Sequence, residues 1–261
     1  MPSTYAHYRF GANLLPTMPG EVRRTIQRFR RLYDVGLHGP DIFYYNILPV
    51  NSTVRFLGSR YHEQTGKEFF QRVCRAVRLE KSEAAQAYLY GLLSHYCLDA
   101  LCHPFIQEQA DAGVASHFQI EAEFERFLLE SDGKVPACAQ DLSPHLRLTP
   151  GEWETVARLY SPVSPRAVRD SLQNMARFTK LLSAPPGARR AVVSSAVALF
   201  GKELTDMMIP EEPNPKCTHL NEAIMARYHQ AQELFPGMLS QLQAHMTYSA
   251  PFDAEFLPIF G

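Results

Sequence analysis

An all-α fold is predicted by three features of the sequence. Apolar residues recur at three- and four-residue steps, capping residues open those stretches, and alternating strand-like runs are nearly absent. With 261 residues, 46% of them hydrophobic, the chain can bury a sizeable core. The expected architecture is a single multi-helix bundle domain over residues 1–261, its chemistry in 1–130. The helical remainder, 135–261, has no readable role.

The elements follow in order. Over residues 21–34, Val22, Ile26, Phe29 and Tyr33 share a face with arginines between them, and Gly36, Gly39 and Pro40 end that helix. A second helix is expected over 67–79. A long third one is expected from Ser82 as N-cap to 109, bent or stopped near His103 by Pro104. Ser116 caps the next, to 129, and Ser131-Asp132-Gly133 closes it. Residues 135–150 read as loop. Thr149-Pro150-Gly151-Glu152 is a helix start, with a cap, a proline in the first turn and a glutamate three residues on. Helices are then expected over 152–160, 165–182, 187–208 and 220–245. No internal repeat or low-complexity tract is visible.

The net charge of −1 and the lack of a basic stripe with interleaved aromatics argue against extended nucleic-acid binding. No apolar run reaches the roughly 18 residues of a membrane span. The first ten residues lack the apolar core of a secretory signal, Arg9 interrupting them. Five scattered cysteines without a CxxC pair suggest neither a disulfide framework nor a thiolate zinc finger. A reducing, cytoplasmic setting is expected.

The histidines carry the chemistry. Of ten, His7 and five between His38 and His117 fall in the first half. His95, Asp99 and His103 are spaced by four, so on a helix they line one stripe that drifts about 40° per step. Leu92, Leu93, Tyr96, Leu98 and Leu101 around them are apolar, which turns the stripe inward. An unpaired buried aspartate is costly there, and zinc, which takes imidazole and carboxylate ligands, would compensate it. The plainer alternative is a buried His–Asp hydrogen bond. His117 and Glu121 repeat the spacing on the next helix, and two such helices can clamp metals between them. Here the alternative is an exposed i, i+4 pair, and the following Glu123, Glu125 and Arg126 read as a solvated face. Asp41 after Gly39-Pro40, His62 in Arg60-Tyr61-His62-Glu63, and His7 are further ligand candidates. Their ordinary readings are a turn residue, a surface histidine and a core histidine.

The order His7, Gly39-Pro40-Asp41, His62, His95-x3-Asp99, His103 and His117-x3-Glu121 resembles the ligand order of the zinc-dependent phospholipase C family. Its most specific piece runs Gly91-Leu-Leu-Ser-His95-Tyr-Cys-Leu-Asp99-Ala-Leu-Cys-His103-Pro104. The family is all-α and shares its fold and tri-zinc site with fungal nucleases. The resemblance implies two or three zinc ions. Asp41, His62, His95 and Asp99 would hold the first, His103, His117 and Glu121 the second, and His7 with a bridging Asp99 the third. In secreted members the free amine of the processed N-terminus completes the third site. The equivalent here, after loss of Met1, would be the amine of Pro2.

Such a site suits attack of water on a phosphodiester, with a nearby carboxylate taking the proton. Asp41 is the first choice for that base and Glu63 the second. His38, Tyr44, Tyr45 and Phe56 are candidate substrate contacts; Phe43 and the other aromatics equally suit a packed core. The arginines of 21–34 are expected to form a solvated face. His145, His219, His229 and His245 read as structural or exposed. The function expected is hydrolysis of a phospholipid head group or a related small phosphodiester. The alternatives are a metal-binding regulatory module without turnover and a nuclease- or nucleotidase-like activity.

Overall fold

The computed structural model describes residues 4–47, 53–199 and 201–259. Twelve α-helices follow among them: α1 Thr4–Leu14, α2 Gly20–Arg28, α3 Arg30–Gly36, α4 Thr53–His62, α5 Gly66–Glu80, α6 Glu83–Asp111, α7 His117–Ser131, α8 Pro150–Leu159, α9 Pro165–Leu182, α10 Ala188–Ala198, α11 Lys202–Asp206 and α12 Asn221–Tyr248. The one β feature among the described residues is an isolated bridge between Thr65 and Ile259. The fold is an all-α multi-helix bundle.

The capping residues act as their types dictate. Ser116 and Gln119 exchange backbone-to-side-chain bonds of 3.2 Å at the start of α7. The Thr149 N–H donates to Glu152 at 2.7 Å at the start of α8. Three boundaries differ from the sequence expectation. Phe29, at φ −122° and ψ 43°, divides 21–34 into α2 and α3, and α3 is thereby free to lie along α6. The stretch 187–208 is likewise divided into α10 and α11. Pro104 does not stop α6, which runs to Asp111. The N–H that proline lacks costs one helical bond, and packing against α7 and α12 supports the helix across the gap. The helices α1 and α4 lie where no periodic pattern marks them.

The axis of the bundle is α6, which packs against α1, α2, α3, α5, α7, α8 and α12. Its approach to α3 is backbone to backbone. A Cβ on Gly91 would sit 2.2 Å from the Tyr33 carbonyl oxygen, and one on Gly36 would sit 2.4 Å from that of Tyr88. Glycine at both positions is what lets the two helices close. The main hydrophobic core runs from Tyr5 to Phe256 and draws on both halves of the chain. A smaller satellite core of Leu182, Ala184, Val193, Val197 and Met208 unites the end of α9 with α10 and α11.

Glu123, Glu125 and Arg126, expected on a solvated face, are buried. Arg126 donates to Glu123 at 2.6 and 3.0 Å, and Glu123 also accepts from the Asn214 N–H and the Asn221 amide. Glu125 accepts the backbone N–H groups of Tyr5 and Ala6. The partners that make burial affordable come from distant segments. The arginines of α2 and α3 are exposed apart from a half-buried Arg30, which pairs with Asp34 at 2.6 Å.

Candidate metal centre

Four elements bring the imidazoles and carboxylates together. Helix α1 carries His7. Glu125 of α7 receives the first free N–H groups of α1, which a carboxylate at a helix N-terminus satisfies well. The 3-10 segment Gly39–Tyr45 carries Asp41. It is held by α9, where the Asn46 amide donates to Ser171 and the Asn174 amide donates to the Tyr45 carbonyl, both at 3.1 Å. Helix α4 ends in His62, and α6 presents His95 and Asp99.

All five side chains are buried. Their donor atoms fall into two groups, His7 with His95 and Asp99, and Asp41 with His62 and His95, each drawn within 4.8 Å. Asp99 reaches His7 Nε2 and His95 Nε2 at 3.2 Å each, through its two oxygens. Asp41 Oδ1 lies 2.8 Å from His62 Nε2 and 3.9 Å from His95 Nε2. Two zinc bonds of about 2.0 Å at a tetrahedral angle put neighbouring ligand atoms about 3.3 Å apart. The observed separations bracket that spacing.

Hydrogen bonds fix the ring faces. His95 Nδ1 lies 3.2 Å from the Leu37 carbonyl, and His62 Nδ1 lies 2.7 Å from that of Gly58. A carbonyl only accepts, so each Nδ1 carries the hydrogen and each Nε2 turns a lone pair toward the carboxylates. That is the outer support metal-ligating histidines use. His7 Nδ1 and Glu121 Oε2 are buried without a hydrogen-bond partner, and Asp99 Oδ2 and Glu121 Oε1 each face only a histidine Nε2, at 3.2 Å. Such groups are costly unless a cation completes them.

The electrostatics agree. Burial pushes the His95 imidazole down to about 4, so it is neutral. Burial works to raise the Asp99 carboxyl, but His95 and His7 outweigh it and hold the group below its ordinary value. Burial would lower His7, and the facing Asp99 carboxylate raises it instead. Burial likewise acts against His117, and Glu121 raises it. The cluster is short of positive charge, and it holds the ligand set that zinc takes. Zinc fits.

The second predicted set is looser. His117 Nε2 lies 3.2 Å from Glu121 Oε1, and the rings of His103 and His117 are 4.6 Å apart. Among the described residues, however, His103, His117 and Glu121 do not form a third group of converging donor atoms. His95 is common to both groups that do form, whereas the family resemblance placed it in one. Pro2 lies outside the described residues.

The remaining candidates separate. Tyr44 and Tyr45 line a groove of about 890 Å³ that reaches His62, His103 and His117. The Tyr44 hydroxyl lies 3.2 Å from His62 Nδ1. Phe43 is in the core, and Phe56 is 65% exposed and does not line the groove. Glu63 is exposed and also stands outside the groove lining. His38 is buried and does not line the groove, its Nε2 lying 2.7 Å from His145 Nε2. His145 in turn stacks on Tyr8, ring centres 4.3 Å apart. Sequence reasoning missed the far wall of the groove, which Arg177, Phe178, Leu181, Leu204 and Met207 build. No motif marks these residues.

The model of the family described as zinc dependent phospholipase C matches residues 6–161, more than half of the chain. Neither the curated proteins nor the solved structures contain a match. No helix among the described residues is long and apolar enough to cross a membrane.

Proposed function

The chain belongs to the zinc-dependent phospholipase C family, and from that premise we propose that it hydrolyses a phosphodiester, either a phospholipid head group or a related small diester. The observation that carries the reading is the pair of buried His/Asp groups meeting at His95. His7, His95 and Asp99 would hold one zinc ion, and Asp41 and His62, with His95 beside them, a second. His117, Glu121 and His103 are the residues for a further ion at the mouth of the groove. Bound zinc supplies Lewis acidity, polarising a phosphoryl oxygen and lowering the pKa of water toward about 7.

The protein's own groups supply the rest. Asp41, buried within the cluster, is the carboxylate placed to take a proton from the attacking water. Glu63, exposed and outside the groove lining, is the weaker choice. Tyr44, beside His62 on the groove wall, is positioned to orient a phosphoryl oxygen. Leu98, buried beside His7, Asp99 and Glu121, helps keep bulk water from the inner face of the cluster.

Zinc-loaded protein is expected to cleave bis-p-nitrophenyl phosphate, and Asp99→Ala to lose both bound zinc and turnover. An Asp99→Ala protein with full activity ends this reading. Zinc binding without turnover on phosphatidylcholine, the chromogenic diester or single-stranded DNA would point to a regulatory module. Cleavage of the DNA alone would point to a nuclease.

A further inference from the structure

The groove has two unlike walls. The inner wall comes from the family-matched segment and includes Tyr44, His62, His103 and His117. The outer wall comes from α9 and α11, beyond residue 161, and presents Phe178, Leu181, Leu204 and Met207. Leu181 is 45% exposed, and Phe178, Leu204 and Met207 are partly buried, each still lining the groove.

The outer wall is built to stay in place. The satellite core joins α9, α10 and α11, with Phe178, Leu204 and Met207 packed against it. Asp206 of α11 accepts from the Ser116 hydroxyl at 2.8 Å and from the Gln119 amide at 2.9 Å. It thereby ties α11 to the first turn of α7, the helix that carries His117 and Glu121. Arg55 and Arg177 also line the groove, and neither has a carboxylate partner among the described residues. The one acid in the lining is Glu203.

An apolar wall fixed opposite the metal ligands, with two unpaired guanidinium groups beside it, suits an anion that bears a hydrocarbon arm. On the phosphodiester reading, we infer that α9 and α11 form a specificity element. It seats one apolar arm of the substrate against Phe178, Leu181, Leu204 and Met207. The phosphodiester meanwhile lies between Arg55, Arg177 and the histidines. The arm belongs to a single molecule held in the groove. Each methylene seated on such a wall tightens binding about fourfold.

The test is binding, so it stands apart from turnover. Hexyl- and decylphosphocholine are titrated calorimetrically into the full chain, with and without zinc, below their micelle concentrations. Decylphosphocholine is expected to bind on the order of a hundredfold more tightly than the hexyl compound. Leu181→Asp, at a half-exposed position, and Leu204→Asp are each expected to weaken the decyl compound at least tenfold and the hexyl compound much less. Arg177→Gln is expected to weaken both alike. Melting curves identify any variant that fails to fold, and Leu181→Asp alone suffices for the comparison. A flat chain-length series overturns the inference, as does unchanged decyl affinity in folded Leu181→Asp. Binding only above the micelle concentration overturns it in favour of a membrane-facing surface. Loss of hydrolysis with the chain-length series intact would instead count against the proposed activity and leave the groove assignment standing.

Discussion

Gly39 connects backbone conformation to the metal ligands. Its φ is +46°, in the left-handed region, and a Cβ there would lie 2.5 Å from His95 Cδ2 and 2.8 Å from His95 Nε2. Ordinary contact begins at 3.4 Å, so the ring would have to retreat by about 0.9 Å. His95 is fully buried and bonded to the Leu37 carbonyl, so it has little room to do so. Gly39→Ala therefore incurs about 1–2 kcal/mol for the left-handed backbone and about 1–3 kcal/mol for overpacking. Displacing a ligand shared by both donor groups should weaken zinc about 10- to 100-fold, the scale on which outer support of a metal site matters. The control is Gly113→Ala, at φ +76° with nothing within 4 Å of the added Cβ. It carries the backbone cost alone. Thermal melts and zinc competition against a chelator, run on both variants, separate the two effects. If Gly39→Ala melts like Gly113→Ala and binds zinc within twofold of the parent, the reasoning is refuted.

Two further outcomes are expected. Glu123→Ala leaves Arg126 buried beside fewer acceptors and should cost roughly 3 kcal/mol or more in urea denaturation, with zinc per folded chain unchanged; a loss under 0.5 kcal/mol would contradict the buried network. Burial, with Arg30 nearby, holds His145 down at about 4 against 6.5 when unfolded. The unfolded chain thus takes up a proton that the folded one refuses, and stability falls as pH drops from 6.5 toward 4, by about 3 kcal/mol from this residue. His145→Asn should flatten that part of the stability–pH curve, and an unchanged slope would argue against the burial of His145 near Arg30.

The stripe of His95 and Asp99 was legible because helical periodicity alone puts i and i+4 on one face. Asp41, His62 and His7 were legible as ligand types in a recurrent order. How the ligands divide was not. His95 lies between the two groups because α1, α4 and the segment Gly39–Tyr45 converge on one turn of α6, and spacing along a chain says nothing about inter-helix distance. Glu123, Glu125 and Arg126 misled for a related reason. Charges three apart on a helix read as solvated, and the Asn214, Asn221, Tyr5 and Ala6 groups that satisfy them are remote in sequence. The groove's outer wall was silent because Phe178, Leu204 and Met207 look like any amphipathic helix until the satellite core fixes which way they face.

The zinc content of the chain, measured by elemental analysis after purification without added metal, decides whether the buried histidines and carboxylates hold metal. Two or more equivalents per chain are predicted, with at least one lost in His95→Ala, because the single free Nε2 of that imidazole faces both donor groups. A folded parent protein that binds no zinc, or a His95→Ala protein that keeps its full complement, would show that these side chains do not form a metal centre.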